Sequence, residues 1–182
     1  NHQYMLFFTQ KGKCFWMRVF ELPEGSKLSK GRAIQNLINI ESDDKVKAFI
    51  CTQDLKEEAY INSHYVIMCT KKGQVKKTSL EQYSRPRSNG INAITIKDND
   101  ELLEAKLTTG NSQVLIAVKS GKCIRFEEGK TRPMGRNASG VRGIKLKDSN
   151  DEVIGMISVN DMDSDILVVS ENGYGKRSSL ED

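Results

Sequence analysis

The side chains of this sequence best placed to do chemistry are cations, and they recur after a repeated glycine. Gly12 is flanked by Lys11 and Lys13 and followed by Arg18, Lys30 and Arg32. Gly73 sits among Lys71, Lys72, Lys76 and Lys77, with Arg85 and Arg87 further on. Gly121 has Lys119 and Lys122 beside it, then Arg125, Arg132, Arg136 and Arg142, and Gly173 is followed by Lys176 and Arg177. Residues 11–32, 71–90 and 119–142 hold 19 of the 28 Lys and Arg but only 5 of the 24 Asp and Glu. The formal net charge of +4 therefore hides an alternation of basic and acidic segments, which predicts a basic rim and a separate acidic zone. One such cluster reads as a solvated turn. Three in register point to a surface that neutralises a polyanion, and the cations named here are the candidate phosphate contacts.

Bond-making chemistry finds little support. His2 and His64 are too few for most metal or general-base sites. Gly73-Gln74-Val75-Lys76-Lys77-Thr78 and Gly135-Arg136-Asn137-Ala138-Ser139-Gly140 both miss the spacing of a phosphate loop, the second having Val141 where Lys is needed. The acidic turns lack calcium-loop spacing and read as solvated hairpin tips. Cys14, Cys51, Cys69 and Cys123 form no C-x-x-C pair and read as small buried hydrophobes in a reducing compartment. The twelve aromatics, Phe7, Phe8 and Tyr65 among them, lie largely in apolar runs, which favours a track for duplex over a stacking platform for single strands. No apolar run approaches membrane-spanning length, and no charged-then-apolar leader is present.

The elements that must position these cations form a repeat. Met5–Gly12, Val66–Gly73, Val114–Gly121 and Ile166–Gly173 each run from apolar residues into a turn, and the glycines are 61, 48 and 52 residues apart. A period of this size signals a propeller or solenoid array. After each glycine come a basic strand, a second glycine with an alternating apolar strand (Asn89–Ile96, Ser139–Leu146), an acidic turn (Glu41–Asp44, Asp98–Glu101, Asp148–Glu152) and a closing apolar strand. The predicted fold is all-β, with each unit folded as a four-stranded antiparallel blade. Blade one spans about 1–50, a linker 51–64 with room for a short helix, blade two about 65–109, blade three about 110–160, and the start of blade four 161–182. Lys176–Asp182 parallels Lys76–Gln82, and the abrupt start and mid-repeat stop predict a piece of a larger protein.

Three stretches carry a family resemblance: Asn172-Gly173-Tyr174-Gly175-Lys176-Arg177, Met134 to Ile144, and Lys72-Gly73-Gln74-Val75-Lys76-Lys77-Thr78. The chain resembles, along essentially its whole length, the C-terminal domain of bacterial DNA gyrase A subunits, more than that of the topoisomerase IV A subunit. The resemblance implies a β-pinwheel, a propeller-like ring of about six blades of which about three and a half are present, whose outer edge wraps duplex DNA for negative supercoiling. It implies a cytoplasmic, nucleoid-associated A2B2 assembly with the rest of gyrase A and with gyrase B. ATP and magnesium would act elsewhere in that assembly, leaving this piece with no cofactor and no catalytic residue. None of Tyr4, Tyr60, Tyr65, Tyr83 or Tyr174 would inherit the family's catalytic tyrosine. The Gln-Arg-Arg-Gly-Gly-Lys-Gly box of the family's first blade is absent here, which fits a chain that starts inside that blade. The alternatives are a topoisomerase IV A-subunit domain and a propeller that docks a protein partner through the same rim.

Overall fold

The computed structural model describes residues 3–180. His2, read above as non-catalytic, and the last two residues of the fourth copy lie outside the described residues. The strands are β1 (Gln3–Thr9), β2 (Lys13–Arg18), β3 (Val46–Asp54), β4 (Tyr65–Thr70), β5 (Gln74–Ser79), β6 (Ile91–Asn92) and β7 (Leu102–Thr108). They continue with β8 (Gln113–Val118), β9 (Cys123–Glu127), β10 (Val141–Arg142), β11 (Val153–Val159), β12 (Asp165–Val169) and β13 (Gly175–Ser179). A short helix, α1 (Glu58–Ser63), sits between β3 and β4. His64 ends it, with Nδ1 2.8 Å from the Tyr60 carbonyl.

The sheets are antiparallel, but each is not built from one continuous unit as the sequence suggests. The first has the order β3-β1-β2-β6 and the second β10-β5-β4-β7, so the outer strand of each comes from the following repeat. Cys14 pairs with Ile91 and Val75 with Val141. The third sheet is β11-β8-β9, and β12-β13 form a hairpin. The second glycines of repeats two and three allow the close approach this needs, since a Cβ on Gly90 would strike the Phe15 ring and one on Gly140 the Val75 carbonyl oxygen. The loop that follows the basic strand carries the chain to the neighbouring sheet, where Gly12 O accepts from Ala93 N at 2.7 Å and Gly73 O from Gly143 N at 2.8 Å. Strand β3 also runs on to Asp54, four residues past the expected end of blade one.

Sheets stack on one another, which explains the unbroken apolar runs. Along β4, Val66 and Met68 enter one core with Leu6, Phe8, Leu80 and Ile94, while Ile67 and Cys69 face a second core with Val114, Ile116 and Met156. A strand buried on both faces loses the polar alternation of a half-exposed one. Strand β7 packs against β3 on one side and β11 on the other, so the edges opposite β6 and β10 face inward along the stack. Among the described residues, no helix is long and apolar enough to cross a membrane.

Candidate nucleic-acid interface

The Lys/Gly turns and the acidic turns occupy one place rather than two. In each of three repeats an aspartate two residues before the closing strand accepts a backbone N–H from the turn that leads into the repeated glycine. Asp44 takes Lys11 N at 3.2 Å, Asp100 takes Lys72 N at 2.9 Å, and Asp151 takes Ser120 N at 3.0 Å. The same carboxylates accept the N–H of the next residue in their own turn. Asp44 and Asp151 are buried, so these turns are hydrogen-bonded clasps and not the solvated tips the sequence suggested.

This arrangement neutralises part of the expected rim and corrects the expectation of a separate acidic zone. Lys11 reaches Glu41 at 2.9 Å and Asp43 at 2.6 Å, and Lys13 reaches Glu41 at 2.6 Å. Hydrogen bonds from Lys13 and then Lys11 hold the Glu41 carboxyl down to about 2. Lys71 lies 2.8 Å from Glu101, which raises the pKa of its ammonium. Lys72 donates to the Ser149 carbonyl at 3.3 Å.

Two predicted contacts are buried and cannot reach a phosphate. The Lys76 side chain is fully enclosed and donates to the carbonyls of Ala93 at 2.5 Å and Arg136 at 2.6 Å. Burial, with Arg136 close by, lowers its pKa to about 7. Lys77 is almost as enclosed, 3.4 Å from the buried Glu128 and 4.5 Å from the centre of the Tyr65 ring. Glu128 accepts in addition from Thr108 Oγ at 2.6 Å and Ser112 N at 3.3 Å. Strand β5 lies between β4 and β10 with sheets on either side, so its alternate residues have no solvent face.

The remaining cations are accessible. Lys30, Arg32, Arg85, Arg87, Lys119, Lys122, Arg132, Arg142 and Lys176 are exposed and Arg136 is half-buried, and none has a carboxylate partner among the described residues. Arg85, Arg87, Arg132 and Arg136 lie in the loops that carry the chain to the preceding sheet, and Lys30 and Arg32 in the corresponding loop of the first repeat. Arg18 lies 5.9 Å from the Tyr4 ring centre and 5.7 Å from that of Phe20. Arg125 donates to the Leu180 carbonyl, and Arg177 pairs with Asp165 at 3.2 Å. Sequence reasoning missed Lys97 and Lys147, both exposed and each five residues past the end of an exchanged strand. Their common position after Ile96 and Leu146 was the available signal. Cys14 and Cys69 are buried, which pushes the Cys69 thiol up to about 12. Cys51 and Cys123 are exposed, against expectation, because their strands turn that face outward.

A stack of antiparallel sheets, the first two completed by a strand from the following repeat and the loops between strands carrying free cations, defines a propeller-type blade array. The chain belongs to the family described as DNA gyrase C-terminal domain, beta-propeller, whose model matches residues 3–53, 64–109, 113–160 and 164–182. It is 41% identical to the DNA gyrase A protein of Staphylococcus epidermidis over 99% of its own length, and 41% identical to that of Salmonella typhimurium over 100%. It spans 20% of the length of each of these relatives. Among solved structures it resembles the C-terminal domain of DNA topoisomerase IV, with a TM-score of 0.85 and 27% identity over 99% of this chain and 54% of that one. A DNA gyrase A C-terminal domain shares the fold, with a TM-score of 0.79 and 24% identity over 99% of this chain and 55% of the other.

Proposed function

We propose that this chain binds duplex DNA without reading its sequence and bends it along the connecting-loop edge of the stack. In this reading it is part of a gyrase A protein that joins gyrase B in an A2B2 assembly in the cytoplasm, on the nucleoid, and supports ATP-dependent negative supercoiling. The chain itself performs no bond chemistry, and ATP and magnesium act elsewhere in the assembly. The observation that carries the reading is the set of unpaired cations at Lys30, Arg32, Arg85, Arg87, Arg132, Arg136 and Arg142, spread over successive repeats. Bending a duplex by 40–90° over 20–30 base pairs costs on the order of 1–6 kcal/mol, which contacts on several blades together can offset. Phosphate contacts of this kind position a duplex without specifying its bases.

A second reading, a topoisomerase IV A-subunit domain, is favoured by the higher TM-score of that comparison. The test uses the full-length parent protein together with its gyrase B partner. Energy transfer between end labels on a duplex should report bending, and relaxed plasmid plus ATP should become negatively supercoiled. Binding without bending or supercoiling would favour the topoisomerase IV reading. Binding whose strength ignores salt would sink DNA wrapping and favour a protein partner, because phosphate neutralisation gives a log–log slope of about −0.9 per contact.

A further inference from the structure

We propose that a cleft lined by Glu81, Gln82, Arg85, Arg87, Ile91 and Arg136 is a seat for a single phosphate group, assembled by two successive repeats at the point of strand exchange. The cleft has a volume of about 190 Å³. Sites for drug-sized molecules run to roughly 300–1,000 Å³, so this one suits one small group or one segment of a backbone. Arg85 and Arg87 follow the 3-10 turn Leu80–Tyr83 in repeat two. Arg136 comes from repeat three, in the loop ahead of β10.

Three arginines against one glutamate leave the lining of this small cleft with a positive balance that attracts an anion. None of the three makes a side-chain hydrogen bond or an ion pair among the described residues. The single carboxylate of the cleft, Glu81, already accepts from Gln82 Nε2 at 3.1 Å. Guanidinium donors form a planar fork that matches phosphate oxygens two at a time.

The seat is also held in shape. The backbone at Arg136 is fixed by Lys76, whose ammonium donates to its carbonyl at 2.6 Å. The next residue is tied to repeat two, with Thr95 Oγ donating to the Asn137 carbonyl at 2.8 Å and Asn92 Nδ2 to the Asn137 side chain at 3.2 Å. Trp16 Nε1 donates to the Tyr83 carbonyl at 2.9 Å, which anchors the turn carrying Glu81 and Gln82 to the first sheet. A phosphate seated here would bridge repeats two and three, so the duplex would be gripped at the junction between sheets rather than on a blade face. The ligand class rests on the DNA-binding reading above.

The test is arginine-selective modification of the full-length parent protein with phenylglyoxal, read peptide by peptide by mass spectrometry. The protein is probed free, with a short duplex, and with inorganic phosphate alone. Duplex should slow modification of Arg85, Arg87 and Arg136 together by several-fold, and inorganic phosphate should do the same for these three while leaving Arg32 and Arg142 reactive. If duplex shielded Arg32 and Arg142 but left the three at their free rate, the seat would be overturned and DNA binding would stand. If duplex shielded no arginine, both would fall. An Arg136→Ala variant should lose the phosphate protection of Arg85 and Arg87 while duplex still shields Arg32. Unchanged protection of Arg85 and Arg87 by phosphate in that variant would overturn a seat shared between repeats.

Discussion

The carboxylate of Asp151 accepts both the backbone N–H of Ser120 at 3.0 Å and the Ser120 hydroxyl at 2.9 Å. The N–H of Lys147 and these bonds to Ser120 hold the Asp151 carboxyl below its ordinary value. Its stabilising contribution is therefore present above the unfolded pKa of about 3.9 and is lost as pH falls through the lower folded value. Asp151→Asn should lower the melting temperature at neutral pH and flatten its decline in acid. Equal melting temperatures at neutral pH, with the same decline in acid, would contradict the clasp.

These clasps show what was legible in the sequence and what was not. The all-β repeat could be read because Gly12, Gly73, Gly121 and Gly173 keep their register. The exchange of β6 and β10 could not, since pairing Cys14 with Ile91 or with a residue of its own repeat leaves the same alternation of apolar residues. The same limit applies to Lys76 and Lys77. A lysine reads as exposed from its type alone, and only the packing of sheets on both sides of β5 removes both from water.

Lys76 gives a titration of the same sign as Asp151, in a higher pH window. Its folded pKa is about 7, below the ordinary lysine value, with burial the chief cause. Between that value and the unfolded pKa of about 10.4, the unfolded chain binds the extra proton, so stability should rise with pH in this window. Denaturant titrations on either side of it measure the rise. Lys76→Met should remove it, and a rise that survived this substitution would assign it to another group.

Glu128 is enclosed with Lys77 as its ion partner. Glu128→Gln leaves the Lys77 charge buried without its counter-charge and should cost about 3–5 kcal/mol. The pair Lys77→Met with Glu128→Leu should recover most of that loss, because a buried ion pair replaced by apolar groups is often neutral. Equilibrium unfolding of the three proteins decides the matter. A double variant no more stable than Glu128→Gln alone would show that the hydrogen bonds from Thr108 and Ser112, not the charge, are what matter.

Gly12 and Gly121 share a φ of +82° but not the same surroundings. A Cβ on Gly12 would collide with the Ile94 carbonyl oxygen, whereas one on Gly121 would meet nothing within 4 Å. Gly121→Ala should cost about 1–3 kcal/mol from backbone conformation. Gly12→Ala should cost more and should speed hydrogen exchange at Ala93 and Ile94, whose N–H groups donate to Gly12 O. Equal losses at the two sites would argue against close packing of the exchanged strand.

For duplex binding, Arg32→Ala and Arg142→Ala should each reduce the salt slope by about one. Lys11→Ala should change it less, since Glu41 and Asp43 already engage that ammonium. The measurement is binding affinity across a salt series in the full-length protein. A larger effect at Lys11 than at Arg32 would invert the ranking of accessible over paired cations.

The borrowed outer strand sets a waiting time during protein synthesis. Strand β3 ends at Asp54, but the residues that cover the free edge of β2 arrive only at Ile91–Asn92. At roughly 5–20 residues per second on the ribosome, that edge stays open for about 2–8 s. An open strand edge invites pairing with other chains, so the nascent first sheet is exposed to mispairing during this interval. The second sheet faces a similar interval, its edge at β5 bare until Val141–Arg142 emerges.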